Sequence, residues 1–382
     1  MVEWKKIGDI CYISDYVSNG SFASLRENVQ YKSEPDYAIL VRFADYSSGF
    51  DKSKFVYIDE HAYNFLSKSS LKGEEIIMSN VGSCGLYFRC PKLDRKMSLA
   101  PNSIMIRSEY NKYLFHWFGT QRGIEEIKKI TSKSAMPKFN KTEFKKILIP
   151  LPSTIEQERI VGILDTFTSS IDNLKQQIAQ RRKQYEYYRD QLLDLEGKEG
   201  VEMKTLGNIG EICMCKRIMK EQTSDNDDIP FFKIGTFGGI ADAFISRELF
   251  EDYKSKYSYP KKGEILISAA GTIGRSVVFD GKDAYFQDSN IVWLANNEKV
   301  VTNRYLYYFY QIADWKTDGG TIKRLYNYNL KNTKIPIPSL SEQQRIVDIL
   351  DKFEASIQNL ESQLSQREKQ YEYYRNKLLT FE

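Results

Sequence analysis

The chain has 382 residues, of which 41% are hydrophobic, and its formal net charge is +4. This length and apolar content predict two or three domains with apolar cores and exclude a disordered chain. Because no apolar run approaches the roughly 18 residues of a membrane helix and no apolar leader segment follows the first methionine, we expect a cytoplasmic protein.

The cysteine, histidine and charge patterns further restrict which kinds of site and partner the protein is expected to have. Five cysteines without a C-x-x-C pair and only two histidines predict reduced thiols and no metal site. Residues 1–148 carry 23 Lys and Arg against 17 Asp and Glu, whereas residues 149–200 carry 7 against 9 and residues 335–382 carry 6 against 8. The excess of positive charge outside the last two segments is compatible with a polyanionic partner.

The first 148 residues alternate short β-type runs with Gly, Asn and Ser turns, which predicts an α+β domain. We predict strands within residues 37–43, 55–58, 75–79 and 103–107, and helices near residues 111–117 and 124–130. Residues 149–152, Ile-Pro-Leu-Pro, then form an extended connector, because two prolines exclude a helix there.

The segment that follows occurs twice. Residues 149–196 and 335–382 align without a gap at an offset of 186 and are identical at 30 of 48 positions. Two segments this similar indicate an internal duplication.

Each copy predicts a capped coiled-coil helix. Ser153 precedes Glu156, and Ser339 precedes Glu342, at the spacing of a capping box. Apolar positions then recur at alternating spacings of three and four over about five heptads, which is the pattern of a coiled-coil seam. The seam positions are Leu164, Phe167, Ile171, Leu174, Ile178 and Arg181 in the first copy, and Leu350, Phe353, Ile357, Leu360, Leu364 and Arg367 in the second.

Two seam positions hold arginine, and two interpretations remain open for them. Arg181 and Arg367 are either polar seam residues that fix register or orientation, or surface residues at a local stutter.

At 1.5 Å per residue, a helix of about 42 residues would be roughly 60 Å long.

After residues 197–200, Gly-Lys-Glu-Gly, end the first helix, the pattern of the N-terminal domain returns. Residues 2–8 resemble 201–207, and residues 72–79 with 82–85 resemble 262–268 with 271–274. The order is therefore domain, helix, domain, helix. Since one compact domain separates the helices, we expect an intramolecular antiparallel pair with a domain at each end and a pseudo-twofold axis. Such an object suits duplex DNA with two different half-sites.

Motifs for catalysis are missing from the sequence. It contains no G-x-x-x-x-G-K-[ST] phosphate loop and no [DNS]-P-P-[YFW] tetrapeptide of adenine methyltransferases, and no nucleophile pattern surrounds His61 or His116. We therefore predict a recognition scaffold without catalytic residues, and expect both histidines to be solvent or core residues.

The repeated segment carries a family resemblance. The pattern I-P-[IL]-P-S-x-x-E-Q-x-R-I-V-x-I-L-D followed by a heptad helix, once in mid-chain and once at the end, resembles the repeated regions of specificity subunits of type I restriction–modification systems. Residues 262–274 and 319–325 also resemble the target-recognition domains of that family. The first domain departs from this pattern, with Pro137 where the second has Lys323.

The resemblance implies a fold and a division into domains. The fold is α+β, with two mixed target-recognition domains and two long helices in an antiparallel coiled coil. The domains are target-recognition domain 1 over residues 1–150, long helix 1 over 151–198, target-recognition domain 2 over 199–336 and long helix 2 over 337–382.

The resemblance also implies a non-catalytic role in defence against foreign DNA. Each recognition domain would read one half of a bipartite, asymmetric target in double-stranded DNA, and the helix length would set the spacer. Two modification (methyltransferase) subunits would dock on the chain and methylate adenine, and restriction subunits would translocate and cut unmethylated DNA. This chain would bind no cofactor, and S-adenosylmethionine, ATP and Mg²⁺ would belong to the partner subunits.

Candidate contact residues follow from glycine turns and basic segments, which bring backbone and cations near a nucleic acid. The candidates for DNA binding are Ser79, Asn80, Ser83, Lys138, Lys141, Thr272, Arg275, Lys323 and Arg324. Hairpin turns and a solvated face are the alternative explanations. At the helix starts, the candidates for partner-subunit or domain–helix contacts are Glu156, Gln157, Arg159, Glu342, Gln343 and Arg345.

Two rival functions remain open at this point, and a third, an enzyme in its own right, is disfavoured by the missing motifs. A stand-alone DNA-binding or regulatory protein could use the same scaffold, and co-purification with a methyltransferase subunit distinguishes the two. A structural coiled-coil protein would form oligomers, whereas an intramolecular pair predicts a monomer in sedimentation. An enzyme would transfer methyl groups as the purified chain alone.

Overall fold

The computed structural model describes residues 2–319 and 323–381 and divides into two compact units. Unit 1 comprises Met1–Lys175 with Gln363–Glu382, and unit 2 comprises Gln176–Ser362. Each unit therefore contains one globular region and one part of each long helix. Of the family-like stretch 319–325, residues 320–322 lie outside the described residues.

The globular region of unit 1 is built on two four-stranded sheets, with strand orders β2-β9-β6-β7 and β4-β3-β8-β5. Only the β3–β8 pairing in these sheets is parallel. The strands are β1 (Glu3–Lys6), β2 (Tyr12–Asp15), β3 (Ala38–Val41), β4 (Tyr57–Ile58), β5 (Ser70–Leu71), β6 (Ile76–Ser79), β7 (Tyr87–Arg89), β8 (Lys96–Leu99), β9 (Ser103–Arg107) and β10 (Leu148–Leu151). The helices are α1 (Ile7–Ile10), α2 (Phe22–Asn28), α3 (Phe43–Ser47), α4 (Glu60–Phe65), α5 (Asn111–Phe118), α6 (Gln121–Ile130), α7 (Lys141–Phe144) and the start of α8 (Thr154–Leu193). The predicted strands and helices of this region are confirmed.

Unit 2 repeats this architecture in a smaller form. Its sheets have the orders β12-β18-β15-β16 and β14-β13-β17, and the β13–β17 pairing is parallel. The strands are β11 (Glu202–Thr205), β12 (Glu211–Met214), β13 (Ile229–Phe232), β14 (Phe244–Ile245), β15 (Ile265–Ser268), β16 (Ser276–Val278), β17 (Tyr285–Phe286), β18 (Ile291–Ala295) and β19 (Lys334–Ile337). The helices are α9 (Arg247–Lys256), α10 (Asn303–Tyr310), α11 (Asn327–Asn332) and α12 (Leu340–Leu379).

The proline connector is a strand in both units. In unit 1, β1 pairs antiparallel with β10, and Trp4 lies opposite Pro150. In unit 2, β11 pairs with β19, and Met203 lies opposite Pro336. Proline is tolerated here because each ribbon has only two strands, so both of its strands are edges. The repeated N-terminal pattern is thus the partner strand of the repeated connector.

The two long helices, α8 and α12, have 40 residues each and begin at a serine cap. The hydroxyl oxygen of Ser153 accepts a bond from the Glu156 amide at 3.4 Å, and that of Ser339 accepts one from Glu342 at 3.3 Å. The carboxylates of Glu156 and Glu342 each bind the arginine that lies three residues later in the helix. The helices end at Leu193 and Leu379, two residues before the last apolar positions of the repeat.

The helices run antiparallel within each unit. In unit 1 the Phe167 ring stacks on Tyr374 with centroids 5.4 Å apart, and Lys175 pairs with Glu368 at 3.4 Å. Residue numbers rise along one helix as they fall along the other.

Unit 2 shows the same arrangement, since Arg182 pairs with Glu361 at 2.5 Å and Tyr188 stacks on Phe353 at 5.5 Å. The antiparallel coiled coil is confirmed.

The seam arginines are part of the helix interface. The Arg367 guanidinium lies 5.6 Å from the Phe167 ring centroid in unit 1, and that of Arg181 lies 5.8 Å from Phe353 in unit 2. Both arginines are half-buried. An arginine that covers an aromatic face with its planar guanidinium fits a polar seam residue better than a solvated surface position.

Each unit packs helix termini into its globular core. In unit 1, Ile160 and Leu164 of α8 and Leu379 of α12 are buried with Trp117. In unit 2, Ile346, Leu350 and Leu193 are buried in the core that contains Tyr305 and Leu306.

In the described part of the chain, no helix combines the length and the apolar character that a bilayer crossing requires.

Candidate nucleic-acid interface

The predicted glycine turns adopt one geometry in both units. After β6, Gly82 and Gly85 have φ values of +77° and +87°, and after β15, Gly271 and Gly274 have +65° and +82°. The Gly85 amide donates to the Ser79 carbonyl at 3.0 Å, and the Gly274 amide donates to Ser268 at 2.9 Å. These left-handed backbone angles favour glycine, so the turn explains the repeated glycine spacing.

In unit 1 a second segment pairs with this turn. The Gly82 amide donates to the Pro137 carbonyl at 2.8 Å, and the Phe139 amide donates to Asn80 at 3.1 Å. The structure therefore brings the predicted residue Lys138 close to Asn80 and Ser83, which precede it by 58 and 55 positions in the sequence. Of these, Ser83 and Lys138 are exposed, whereas Asn80 is half-buried.

Unit 2 makes the equivalent pairing, because the Leu325 amide donates to the Ala269 carbonyl at 2.9 Å. Leu325 corresponds to Phe139 at the offset of 186, which agrees with the alignment of Lys323 on Pro137. Lys323 and Arg324 thus lie beside the turn that carries Thr272 and Arg275. Thr272, Arg275 and Lys323 are exposed.

Five predicted DNA contacts are engaged within their own domain. The Arg275 guanidinium donates to the Phe237 carbonyl at 2.8 Å, and the Asn80 side-chain amide donates to the Phe139 carbonyl at 3.5 Å. Ser79 is buried, and its hydroxyl donates to the Val81 carbonyl at 3.0 Å. The Lys141 ammonium lies 2.8 Å from the Asp15 carboxylate. The Arg324 guanidinium donates to the Ser289 carbonyl and hydroxyl at 2.9 and 2.8 Å. These contacts support the turn and loop conformations, and they leave the exposed residues as the stronger candidates.

An open cleft of 1150 Å³ borders the glycine turn of unit 1. Its lining contains five basic side chains and two acidic ones. They are Arg89, Lys128, Lys133, Lys175 and Arg375, with Asp172 and Glu368. The cleft is therefore positively charged, which suits a polyanion such as a nucleic-acid backbone.

The predicted residues at the helix starts separate into buried and exposed pairs. Gln343 is fully buried, and its amide donates to the carbonyls of Val300 and Pro338 at 2.9 Å each. Gln157 is also buried and donates to Pro152 at 2.8 Å. Gln343 thus makes a domain–helix contact through Val300, whereas the bond of Gln157 joins the helix to the connector that immediately precedes it.

The other two pairs are the glutamates and arginines of the same turns, whose side chains are 35–55% exposed. Glu156 binds Arg159 through two bonds of 2.8 and 2.7 Å, and Glu342 binds Arg345 through two of 2.8 and 2.6 Å. The bonds to arginine lower the pKa of both glutamates. Because the two ion pairs are identical, the units present the same charged group at this position.

A domain–helix anchor of unit 1 was missed from the sequence. Nε2 of the buried His116 lies 2.9 Å from Asp165, and Nδ1 lies 2.9 Å from the Tyr371 hydroxyl. The sequence predicts a solvent or core position for this histidine. Its burial agrees with a core position, whereas the sequence does not predict its contacts with both long helices.

The equivalent anchor of unit 2 uses different residues. The Tyr308 hydroxyl donates to Asp351 at 2.6 Å, and Arg304 binds Asp351 and Glu354. Burial, with the Asp351 carboxylate as acceptor, raises the pKa of Tyr308 well above its ordinary value. The only sequence signal was that Asp165 and Asp351 occupy the same position of the repeat.

Within residues 2–319 and 323–381, no three His, Cys, Asp or Glu side chains are grouped as a metal site. All five cysteines are free thiols.

Comparisons with known proteins agree on one family. The model of the type I restriction modification DNA specificity domain matches residues 1–181 and 198–367. A putative type I restriction enzyme specificity subunit of Haemophilus influenzae is 49% identical over 284 residues, which are 71% of this chain and 72% of the relative. The EcoR124I/EcoR124II specificity subunit of Escherichia coli is 31% identical over 71% of this chain and 70% of its own length.

A solved structure shows the same fold. The type I restriction–modification S subunit of M. genitalium superposes with a TM-score of 0.58 over 100% of this chain and 97% of its own, at 14% identity. The duplicated turns, the paired helices and the family match over most of both halves lead to one conclusion: this chain belongs to the family of type I restriction–modification DNA specificity subunits.

Proposed function

We propose that this chain is the DNA-recognition subunit of a type I restriction–modification complex, and that each globular region reads one half of a bipartite, asymmetric target. One observation carries the proposal. Both units place a glycine turn beside a basic segment, but the exposed side chains differ: Ser83 and Lys138 in unit 1, and Thr272, Arg275 and Lys323 in unit 2. The same backbone with different side chains fits the recognition of two different half-sites.

The paired helices are proposed to set the spacer between the half-sites and to dock the modification subunits. The support for docking is the repetition of exposed groups. Each unit presents one Glu–Arg pair at a helix start and one tyrosine, Tyr187 or Tyr373, with almost 60% of its surface exposed. Equivalent surfaces suit two copies of the same partner.

The chain itself is proposed to be non-catalytic. The sequence lacks a phosphate loop and a methyltransferase tetrapeptide, so S-adenosylmethionine, ATP and Mg²⁺ are assigned to the partner subunits. The purified chain alone should then transfer no methyl groups to DNA. Methylation by the chain in the absence of a partner would contradict this assignment.

Adenine methylation mapped across the host genome tests the half-site proposal. Methylation of one bipartite motif should require the chain. Arg275→Ala with Lys323→Ala should relax or weaken recognition of one half of that motif, while recognition of the other half is retained. A lost base contact should cost about 1–3 kcal/mol of binding free energy. A lost phosphate contact should reduce by about one the slope of the logarithm of the binding constant against the logarithm of the salt concentration. Lys282→Ala, which removes an exposed lysine outside the turn, is the control. Equal loss of both half-sites would count against independent recognition.

The same measurement tests the spacer. Deletion of residues 175–181 from α8 together with 361–367 from α12 removes one heptad from both helices and keeps the remaining seam positions in register. The pair becomes about 10 Å shorter, so the spacer should lose about three base pairs while both half-sites stay unchanged. An unchanged spacer would show that the helices do not set the distance.

A further inference from the structure

The apolar seam does not distinguish the two helices from each other. Phe167 stacks on Tyr374 in unit 1, and Phe353 stacks on Tyr188 in unit 2. Phe167 and Phe353 occupy one position of the repeat, and Tyr188 and Tyr374 occupy another. The two stacks therefore join the same two positions, with the copies exchanged. The seam arginines follow the same rule, since Arg367 covers Phe167 and Arg181 covers Phe353. An α8 helix paired with the α8 helix of a second copy would therefore bury almost the same side chains as the α8–α12 pair does.

The charges beside the seam do distinguish the helices. Lys175 and Glu361 occupy the same position of the repeat, and so do Arg182 and Glu368. In the described part of the chain, two ion pairs join α8 to α12: Lys175 with Glu368 at 3.4 Å in unit 1, and Arg182 with Glu361 at 2.5 Å in unit 2. Both cations are thus on α8, and both anions are on α12.

Homotypic pairing, in which a helix pairs with the identical helix of a second copy, would place like charges opposite each other. In an antiparallel pair of two α8 helices, Lys175 of each copy would face Arg182 of the other. In a pair of two α12 helices, Glu361 of each copy would face Glu368 of the other. Like charges beside a coiled-coil seam oppose association, and opposite charges select the partner and its orientation.

We propose that these four charges direct α8 to pair with α12 of its own chain and reject pairing with the identical helix of a second copy. The proposal goes beyond DNA recognition, because it concerns how the helices of the chain pair with each other. It does not depend on which DNA sequence the domains recognise. The four side chains are 42–60% exposed, so their interaction is screened by salt. The selection should therefore weaken as the ionic strength rises.

The test exchanges two of the charges in the full-length chain. Lys175→Glu with Glu361→Lys makes both α8–α12 contacts repulsive and both homotypic contacts attractive. After denaturation and refolding at low salt, size exclusion with light scattering should show a dimer fraction about tenfold above that of the wild type.

The matched control adds Arg182→Glu and Glu368→Arg to the same chain. All four signs are then reversed, the α8–α12 contacts are attractive again, and the monomer should return. Equal monomer fractions for the double and quadruple variants at low salt would overturn the proposal.

A measurement on the wild type keeps the test valid if the double variant does not fold. Refolding of the wild type at increasing salt, up to about 1 M, should raise the fraction of dimer because the Debye length falls to about 3 Å. A dimer fraction that stays constant across this range would also overturn the proposal.

Discussion

His116 and Asp165 form a hydrogen bond between a globular region and a long helix. An ionised carboxylate can only accept hydrogen bonds, so Nε2 of His116 is the donor in the 2.9 Å contact. The same bond is the main cause that lowers the pKa of Asp165. His116 is buried, whereas about a third of the Asp165 side chain is exposed, so solvent moderates the strength of the contact.

Asp165→Asn should lower the free energy of unfolding of unit 1 by about 1 kcal/mol at neutral pH, because a charge-assisted bond becomes a neutral one. The folded pKa of Asp165 is below the unfolded value of about 4, so its stabilisation is complete above that value and is lost as the pH falls through the folded pKa. Denaturation measured between neutral and acidic pH should show the wild-type and variant curves converge on acidification. Asp172→Asn, an exposed change on the same helix, should shift stability by less than about 0.5 kcal/mol. A constant gap at all pH values would contradict the assigned ionisation.

At the scale of the element, the two helix starts are equal in sequence but unequal in contacts. The buried Gln343 makes three hydrogen bonds, since it also accepts from the Thr302 amide at 2.9 Å. Gln157 makes one, to the Pro152 carbonyl. The strength of the attachment of a helix to its domain therefore differs between the units, although the repeat is the same.

Gln343→Ala should destabilise unit 2 by about 3 kcal/mol, because it removes a buried side chain that hydrogen-bonds the Thr302 amide and the carbonyls of Val300 and Pro338. Gln157→Ala should cost unit 1 only about 1 kcal/mol. Denaturant unfolding followed by a probe specific to each unit measures both values. Gln344→Ala, at an exposed neighbouring position, serves as the control. Equal losses for the two buried glutamines would show that their hydrogen bonds do not account for the attachment.

At the scale of the whole molecule, the duplication gives each unit one copy of the same exposed groups. Arg159 belongs to unit 1 and Arg345 to unit 2, and each is bound to a glutamate three residues before it. Surfaces that are repeated in one chain predict repeated partners rather than a single one.

Arg159→Glu and Arg345→Glu should each reduce the number of bound modification subunits from two to one, and the double variant should bind none. The physical reason is that each change reverses the charge at one of the two proposed docking surfaces without disturbing a buried contact. Native mass spectrometry of the assembled complex measures the stoichiometry. Lys352→Glu, an exposed change on α12, should leave two copies bound. Two copies bound to the double variant would place docking elsewhere on the chain.

The sequence by itself determined the features that repeat locally. The three–four spacing from Leu164 to Arg181 defines a seam, Ser153 and Ser339 define the helix starts, and the spacing of Gly82 and Gly85 defines a turn. Each of these patterns relates neighbouring positions only a few residues apart, and therefore depends on backbone geometry that a short stretch specifies.

Only the tertiary structure decided which distant side chains meet. It paired Lys141 with Asp15, buried Gln343 against Val300, and placed His116 between Asp165 and Tyr371. It also showed that Lys175 faces Glu368 and Arg182 faces Glu361 of α12. These contacts join positions up to 255 residues apart, and no local periodicity encodes them, because they result from how packed elements bring their surfaces together.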